Sequence, residues 1–225
     1  MNNRTGAIVL TFAGEKIEPV PLFPATPVVA VDPQRIDADA IARAAAVLRA
    51  GGVAAFPTET IYGLGARADQ PDALARLAVV KGRRPDKPFA ILVRDMDAAR
   101  ALTDTLPPVA ERLMRRCWPG PLTIIVPSRD DGTIGLRCPD HPIAQALMRA
   151  TGVPIAATSA NRSGATEART AADVVAALDG AIDLILDGGP CRRGQPSTVV
   201  DVTGDAWRLV RAGALDARAI AAALA

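Results

Sequence analysis

Asp37-Ala-Asp-Ala-Ile-Ala-Arg-Ala-Ala-Ala-Val-Leu-Arg-Ala-Gly-Gly-Val-Ala-Ala-Phe-Pro57 holds the architecture in miniature. Ile41, Ala44, Ala45 and Leu48 recur at helical spacing behind an acidic start, and Gly51-Gly52 stop the helix predicted over 37–50. Val53-Ala-Ala-Phe56 is a short apolar strand ended by Pro57. The same alternation continues. A helix begins at Pro71, with Asp69 as its N-cap, and reaches Lys81, followed by a strand over Phe89–Val93. Helices are predicted over about 95–103 and 107–117. The rigid turn Trp118-Pro-Gly-Pro121 then feeds strands Leu122–Val126 and Thr133–Arg137. A helix over His141–Ala150 and a strand over Pro154–Ala157 follow, and Thr170 with Asp173 forms a capping box for the next helix. Ile182–Asp187, Thr198–Val202 and Trp207–Val210 read as strands before a closing helix from Asp216. Helix–strand alternation of this kind argues for one α/β domain on a predominantly parallel or mixed sheet.

Residues 1–35 differ from the rest, with five prolines and two β-like runs, Ala7–Thr11 and Pro27–Val31. They read as an arm carrying an edge strand or two, since proline is confined to edges. Residues 36–225 form the domain. The 225-residue chain carries 26 basic and 24 acidic side chains, net +2, so any anion site must be local. No stretch approaches the ~20 apolar residues of a membrane span, and Gly14, Glu15 and Lys16 interrupt any leader-like run. Cys117, Cys138 and Cys191 lie far apart without a C-x-x-C, which points to reduced thiols in a cytoplasmic protein. A single histidine, His141, excludes a multi-histidine metal centre, and no metal ligands are nominated.

Basic residues are mostly arginine, yet two of the three lysines fall in Lys81-Gly-Arg-Arg-Pro-Asp-Lys87. Four further polar loops stand out: Pro57–Gly65, Trp118–Thr123, Thr158–Gly164 and Gly188–Thr198. Open α/β sheets bind ligands at such strand ends. Each loop also has a plain structural reading: Gly63 and Gly65 supply positive φ in a turn, and Ser159 and Asn161 form a local cap. A P-loop and a G-x-S-x-G elbow are absent, and Gly63-Leu-Gly65 lies too far from Phe56 for a dinucleotide fingerprint. What remains is phosphate chemistry by positioning and charge.

The motifs Pro57-Thr-Glu-Thr-Ile-Tyr-Gly-Leu-Gly65, Lys81-Gly-Arg83 with Lys87-Pro88, Trp118-Pro-Gly-Pro-Leu-Thr123, Arg137-Cys-Pro-Asp-His141, Ser159-Ala-Asn161-Arg-Ser-Gly164, Ser197-Thr-Val-Val-Asp201 and Arg211-Ala-Gly213 occur in register. Together they resemble the YrdC-like family of threonylcarbamoyl-adenylate synthases over about residues 36–213. The resemblance implies a single domain with a twisted, open mixed sheet, flanked by helices and concave on its ligand-binding face. It implies an ATP-binding nucleotidyltransferase that makes threonylcarbamoyl-AMP and pyrophosphate from ATP, L-threonine and bicarbonate, with Mg²⁺. The product would pass to a TsaD-type threonylcarbamoyl transferase complex that modifies adenosine 37 of tRNA.

Carried over by motif, Lys81 and Arg83 would be catalytic and, with Lys87, would face the triphosphate. Thr123, Ser159, Asn161 and Arg211 would help hold the nucleotide. Thr58 or Thr60, Arg137 and Ser197 would hold threonine, with Thr158 bordering that pocket and Arg137 meeting the carboxylate bidentately. His141 matches the family pattern and also reads as a helix-start residue. Arg84 stands where proline is commoner, leaving two arginines for one role, and Phe89-Ala-Ile-Leu-Val93 lacks a histidine that many members carry. The longer relatives' C-terminal domain is not expected here. Two other readings compete: a double-stranded RNA-binding module, poorly served by 3% aromatics, and a carbamoyltransferase domain, which normally sits in a longer chain.

Overall fold

The computed structural model describes residues 24–83, 87–130 and 132–225, with the short strands β1 (Thr11–Phe12) and β2 (Glu15–Lys16) paired antiparallel. The first half comprises β3 (Val28–Ala30), α1 (Ala38–Arg49), β4 (Ala54–Phe56), β5 (Gly63–Arg67), α2 (Pro71–Lys81), β6 (Ala90–Leu92), α3 (Met96–Arg100) and α4 (Pro108–Cys117). The second comprises β7 (Leu122–Pro127), β8 (Thr133–Arg137), α5 (Pro142–Thr151), β9 (Ile155–Ser159), α6 (Ala171–Leu178), β10 (Leu184–Asp187), β11 (Thr198–Asp201), β12 (Arg208–Arg211) and α7 (Ala217–Leu224).

Ten strands form one open sheet in the order β12-β11-β7-β8-β6-β9-β5-β4-β10-β3. Four pairings are parallel (β11 with β7, β6 with β8, and β10 with both β4 and β3) and five are antiparallel, so the sheet is mixed. Capping follows the local chemistry. The Asp37 carboxylate accepts from Asp39 N and Ala40 N at the start of α1, and Thr170 and Asp173 close a reciprocal box on α6. Such caps each stabilise by about 1 kcal/mol.

Helices cover the two faces unequally. Ile41 and Leu48 of α1 pack with Ile143 and Leu147 of α5 against Phe56, Leu92, Leu184 and Leu186. On the reverse face, Leu77 of α2 and Val174 and Leu178 of α6 cover Ala55, Leu64 and Ile185. Leu113 and Met114 of α4 and Ile220 of α7 cover Leu122, Ile124, Leu136 and Val200. Ile91 packs against both of these last groups, so they share one face. Each fully buried leucine in these layers contributes about 1.5–3 kcal/mol. One face is thus helix-covered throughout, whereas the other is covered by α1 and α5 over one half only.

Two expectations change, and one expected edge strand is found in place. Gly63–Arg67 is a central strand, β5, paired with β4 and β9, and Gly63 and Gly65 are not left-handed. They are glycines because a Cβ on Gly65 would stand 2.8 Å from Ile155 Cγ2 and 3.0 Å from Phe56 Cε1. The N-cap of α2 is Gln70, without a side-chain bond, because Asp69 is engaged in a two-point pair with Arg67. The run Pro27–Val31 supplies β3 at one end of the main sheet, where Ile185–Asp187 pair with Val28–Ala30. The run Ala7–Thr11 lies, except for Thr11, outside the described residues.

Candidate functional site

Side chains alternate across a strand, so every second residue of the helix-free half-face points into one space. Thr123 and Ile125 of β7, Thr133, Gly135 and Arg137 of β8, Ala90 and Leu92 of β6, and Ala157 and Ser159 of β9 all line a cavity of about 330 Å³. Phe56, Leu92 and Ala157 also belong to the core beneath α1 and α5, so the cavity begins where those helices stop. Thr58, Arg83, Lys87, Thr158, Ser197, Glu167 and Arg211 complete the wall.

Arg137, the last residue of β8, lies in register with Thr123 and Leu92. Its side chain is 11% exposed, and Nη2 donates to Glu59 Oε1 at 2.9 Å and to Thr60 Oγ1 at 2.6 Å. Glu59 is buried, and its other oxygen accepts from Asp140 N at 3.1 Å. The hydroxyls of Thr58 and Thr60 lie 2.8 Å apart, and Thr58 donates to Ile61 O at 2.6 Å. Among the described residues all of the guanidinium's bonds run through Nη2, and Nε is buried without a partner. The result is an oriented, charge-compensated guanidinium with donors left for a carboxylate.

Lys81 ends α2 and is 5% exposed. Its Nζ donates within 2.5–2.9 Å of four oxygens: Ser159 O and Oγ, and Asn161 O and Oδ1. Asn161 Nδ2 in turn donates to Ala165 O. Lys81 and Asn161 therefore do not line the cavity; they hold Ser159, which does. Burial first, then the Arg83 charge, brings the Lys81 ammonium down to about 8, with Glu167 opposing. Thr60 likewise sits behind the wall, bonded to Arg137.

Arg83 stacks 5.0 Å over the Phe89 ring and donates from Nη2 to Pro88 O at 2.8 Å. It lies 3.4 Å from the Thr158 hydroxyl. Lys87 is exposed on the rim, and Arg84 lies outside the described residues. Across the cavity Arg211 donates to Ser197 O at 2.7 Å, and Ser197 Oγ lies 2.9 Å from Thr123 Oγ1. Burial lowers the Arg83 and Arg211 guanidinium values; Arg137 and Arg83 add to this at Arg211, whereas Glu167 opposes it. Among the described residues four cations (Arg83, Lys87, Arg137 and Arg211) and one carboxylate, Glu167, line the wall. Such a surface gathers a polyanion and offers hydroxyls to orient it.

Glu59, Glu167, Tyr62 and Phe89 belong to this site or its support, and sequence reading nominated none of them. Glu59 stands inside a quoted motif, but nothing local pairs it with Arg137, 78 positions away. Tyr62 holds the loop after β10 by donating to Gly189 O at 2.9 Å, and burial together with Asp187 raises its phenol. His141 caps α5, its Nδ1 accepting from Ile143 N at 3.3 Å, and it does not line the cavity. Burial pushes the Cys138 and Cys191 thiols up to about 11, so neither is a thiolate at neutral pH. Among the described residues no three His, Cys, Asp or Glu side chains gather as a metal cage.

A family model, Sua5/YciO/YrdC, described as "Telomere recombination", matches residues 46–213. The chain is 43% identical over 194 residues to the threonylcarbamoyl-AMP synthase of Bacillus subtilis (strain 168), covering 82% of this chain and 56% of that protein. It is 38% identical over 174 residues to the threonylcarbamoyl-AMP synthase of Chromohalobacter salexigens, covering 73% of this chain and 94% of that one. A crystal structure of Pyrococcus abyssi Sua5 complexed with L-threonine aligns with a TM-score of 0.85 at 38% identity, covering 88% of this chain and 61% of that chain. The chain thus spans a little over half the length of the Bacillus and Pyrococcus relatives. By sequence over three quarters of its length, and by the shape of its sheet, the chain belongs to the Sua5/YciO/YrdC family.

Proposed function

We propose that this chain is the catalytic unit of a threonylcarbamoyl-AMP synthase, an adenylyl-transferring enzyme of tRNA modification, built on residues 36–225 with β3 added at the sheet edge. One observation carries the reading: a single cavity joins the Arg83, Lys87 and Arg211 cations to the Arg137–Thr58–Thr60 corner. The names of its relatives, and the L-threonine of the Pyrococcus structure, support the same assignment.

In this reading Arg137, steered by Thr60, binds the threonine carboxylate, with Thr58, Thr158 and Ser197 around the amino acid. Arg83, Lys87 and Arg211 meet the triphosphate, which arrives as its magnesium complex. Thr123 and Ser159 hold the nucleotide, while Lys81 and Asn161 fix Ser159 and keep a positive charge behind it. Threonine gives up its ammonium proton to solvent, and the free amine and bicarbonate give the carbamate with loss of water. A carbamate oxygen then bonds to the α-phosphorus as the bond to the β-phosphate oxygen breaks, and pyrophosphate leaves with that electron pair. The carbamate is already an anion at neutral pH, so no side chain need act as base. Catalysis rests on positioning and on cations that stabilise charge moving onto pyrophosphate. The product is a mixed anhydride, suited to a downstream threonylcarbamoyl transferase acting on tRNA.

The test is incubation with ATP, Mg²⁺, bicarbonate and single amino acids, followed by pyrophosphate assay and mass spectrometry of the adenylates. Threonylcarbamoyl-AMP formed only when threonine and bicarbonate are both present is the expected result. Pyrophosphate release that ignores threonine, or that follows carbamoyl phosphate instead, refutes the assignment.

A further inference from the structure

Among the described residues Glu167 is the one carboxylate in a cavity wall that otherwise presents Arg83, Lys87, Arg137 and Arg211. It lies between β9 and α6 on backbone fixed from both sides. Asn161 Nδ2 donates to Ala165 O at 2.5 Å, Tyr62 N donates to Ala168 O at 2.9 Å, and Ala168 is buried. Its negative charge acts on Lys81, which lies behind Ser159, and on Arg211, one of the cations assigned to phosphate. A carboxylate there opposes a bare triphosphate. The opposition reverses when a divalent cation lies between them, because both then share the ion.

The chemistry of the donor set agrees. Mg²⁺ takes oxygen ligands, keeps several waters and is usually held by one or two carboxylates together with substrate phosphates. Among the described residues no three His, Cys, Asp or Glu side chains form a cage, and the described wall offers the Glu167 carboxylate. We propose that Glu167 contacts the divalent cation carried by the nucleotide and thereby makes the cavity select the metal–triphosphate complex over the metal-free triphosphate. This rests on the nucleotide reading of the same cavity. It follows that metal alone binds weakly and that metal and nucleotide bind with positive, reciprocal coupling.

Calorimetric titration of the full chain with ATP in EDTA and with ATP plus Mg²⁺ tests this, with Mn²⁺ water-proton relaxation as a second readout. In Glu167→Gln, metal-free ATP binds more tightly than in the parent and the metal complex more weakly. The ratio of the two affinities falls by about tenfold or more, within the usual range of such couplings. Glu167→Asp, which keeps the charge, retains more of the ratio than Gln does, and thermal unfolding confirms that each variant is folded. A parent chain that binds both forms, with an unchanged ratio in the folded Glu167→Gln variant, overturns the role of Glu167. A parent chain that binds neither form overturns the nucleotide reading itself, and the role of Glu167 with it.

Discussion

Glu59→Gln removes one charge from the least solvated ion pair of the site while keeping the side chain's shape. Glu59 and Arg137 are 2% and 11% exposed and meet at 2.9 Å, so solvent screens the pair little. The two carboxylate oxygens serve two donors, Arg137 Nη2 and Asp140 N. Glutamine has one oxygen and one NH₂, so one of those donors must face another donor. An unmet buried donor costs about 1–3 kcal/mol. Neutralising one partner of a buried pair costs about 3–5 kcal/mol. Arg137 keeps Thr60 Oγ1 at 2.6 Å and one side open to the cavity, so the lower figure applies and about 3 kcal/mol is expected. A domain with about 5–15 kcal/mol of stability still folds after that loss. Urea denaturation of Glu59→Gln, Arg137→Met and the double variant measures it. The double variant should cost less than the sum of the singles by about 2 kcal/mol, because no buried charge is then left alone. A loss below about 1 kcal/mol in Glu59→Gln, or single effects that add within about 0.5 kcal/mol, refutes the argument that this pair orients Arg137.

Arg137→Ala should raise the threonine requirement by about 10–100-fold, the worth of a charge-assisted pair, with little change in ATP affinity; equal changes in both would count against its assignment. Lys81 titrates near 8, below its ordinary 10.5, so ATP affinity should fall as pH rises through 8. Stability has the opposite sign. The unfolded chain binds the extra proton between 8 and 10.5, so the Lys81 contribution is full above 10.5 and is lost as pH falls through 8. Binding and denaturation series across that window check both signs, and Lys81→Arg should flatten the binding trend. Gly65→Ala drives a methyl toward Ile155 and Phe56 and should cost about 1–3 kcal/mol in thermal or urea unfolding; a neutral result would mean that β4 and β9 yield easily. His141→Ala should lose about 1 kcal/mol of α5 capping near pH 7. Burial and Arg192 hold His141 below its ordinary 6.5, so the capping contribution is full above 6.5 and lost as pH falls through the lowered value. The gap between parent and variant should therefore narrow in acid, and a constant gap would show that His141 does not cap through neutral Nδ1.

Local chemistry was written openly in the chain. Helical spacing at Ile41, Ala44, Ala45 and Leu48 matches the buried stripe of α1, and Thr170 with Asp173 forms the box that their spacing suggests. The strand Gly63–Arg67 was not legible, because Gly-Leu-Gly-Ala carries almost no side-chain alternation and its pairing with Ile155–Ser159 spans some ninety residues. Asp69 looked like an N-cap by position, yet Arg67 two residues earlier claims its carboxylate.

For the site, the sequence by itself determined which loops hold hydroxyls, amides and cations, since those residue types are intrinsic to the chain. Only the tertiary structure decided their facing. Thr123 and Ser197 come within hydrogen-bond reach because β7 and β11 are neighbours in the sheet, although 74 residues separate them. Lys81 turns to the Ser159 and Asn161 oxygens because a buried ammonium must be surrounded by acceptors. The cavity exists because α1 and α5 cover only half of one face, and long-range packing of that kind has no local signature in the chain.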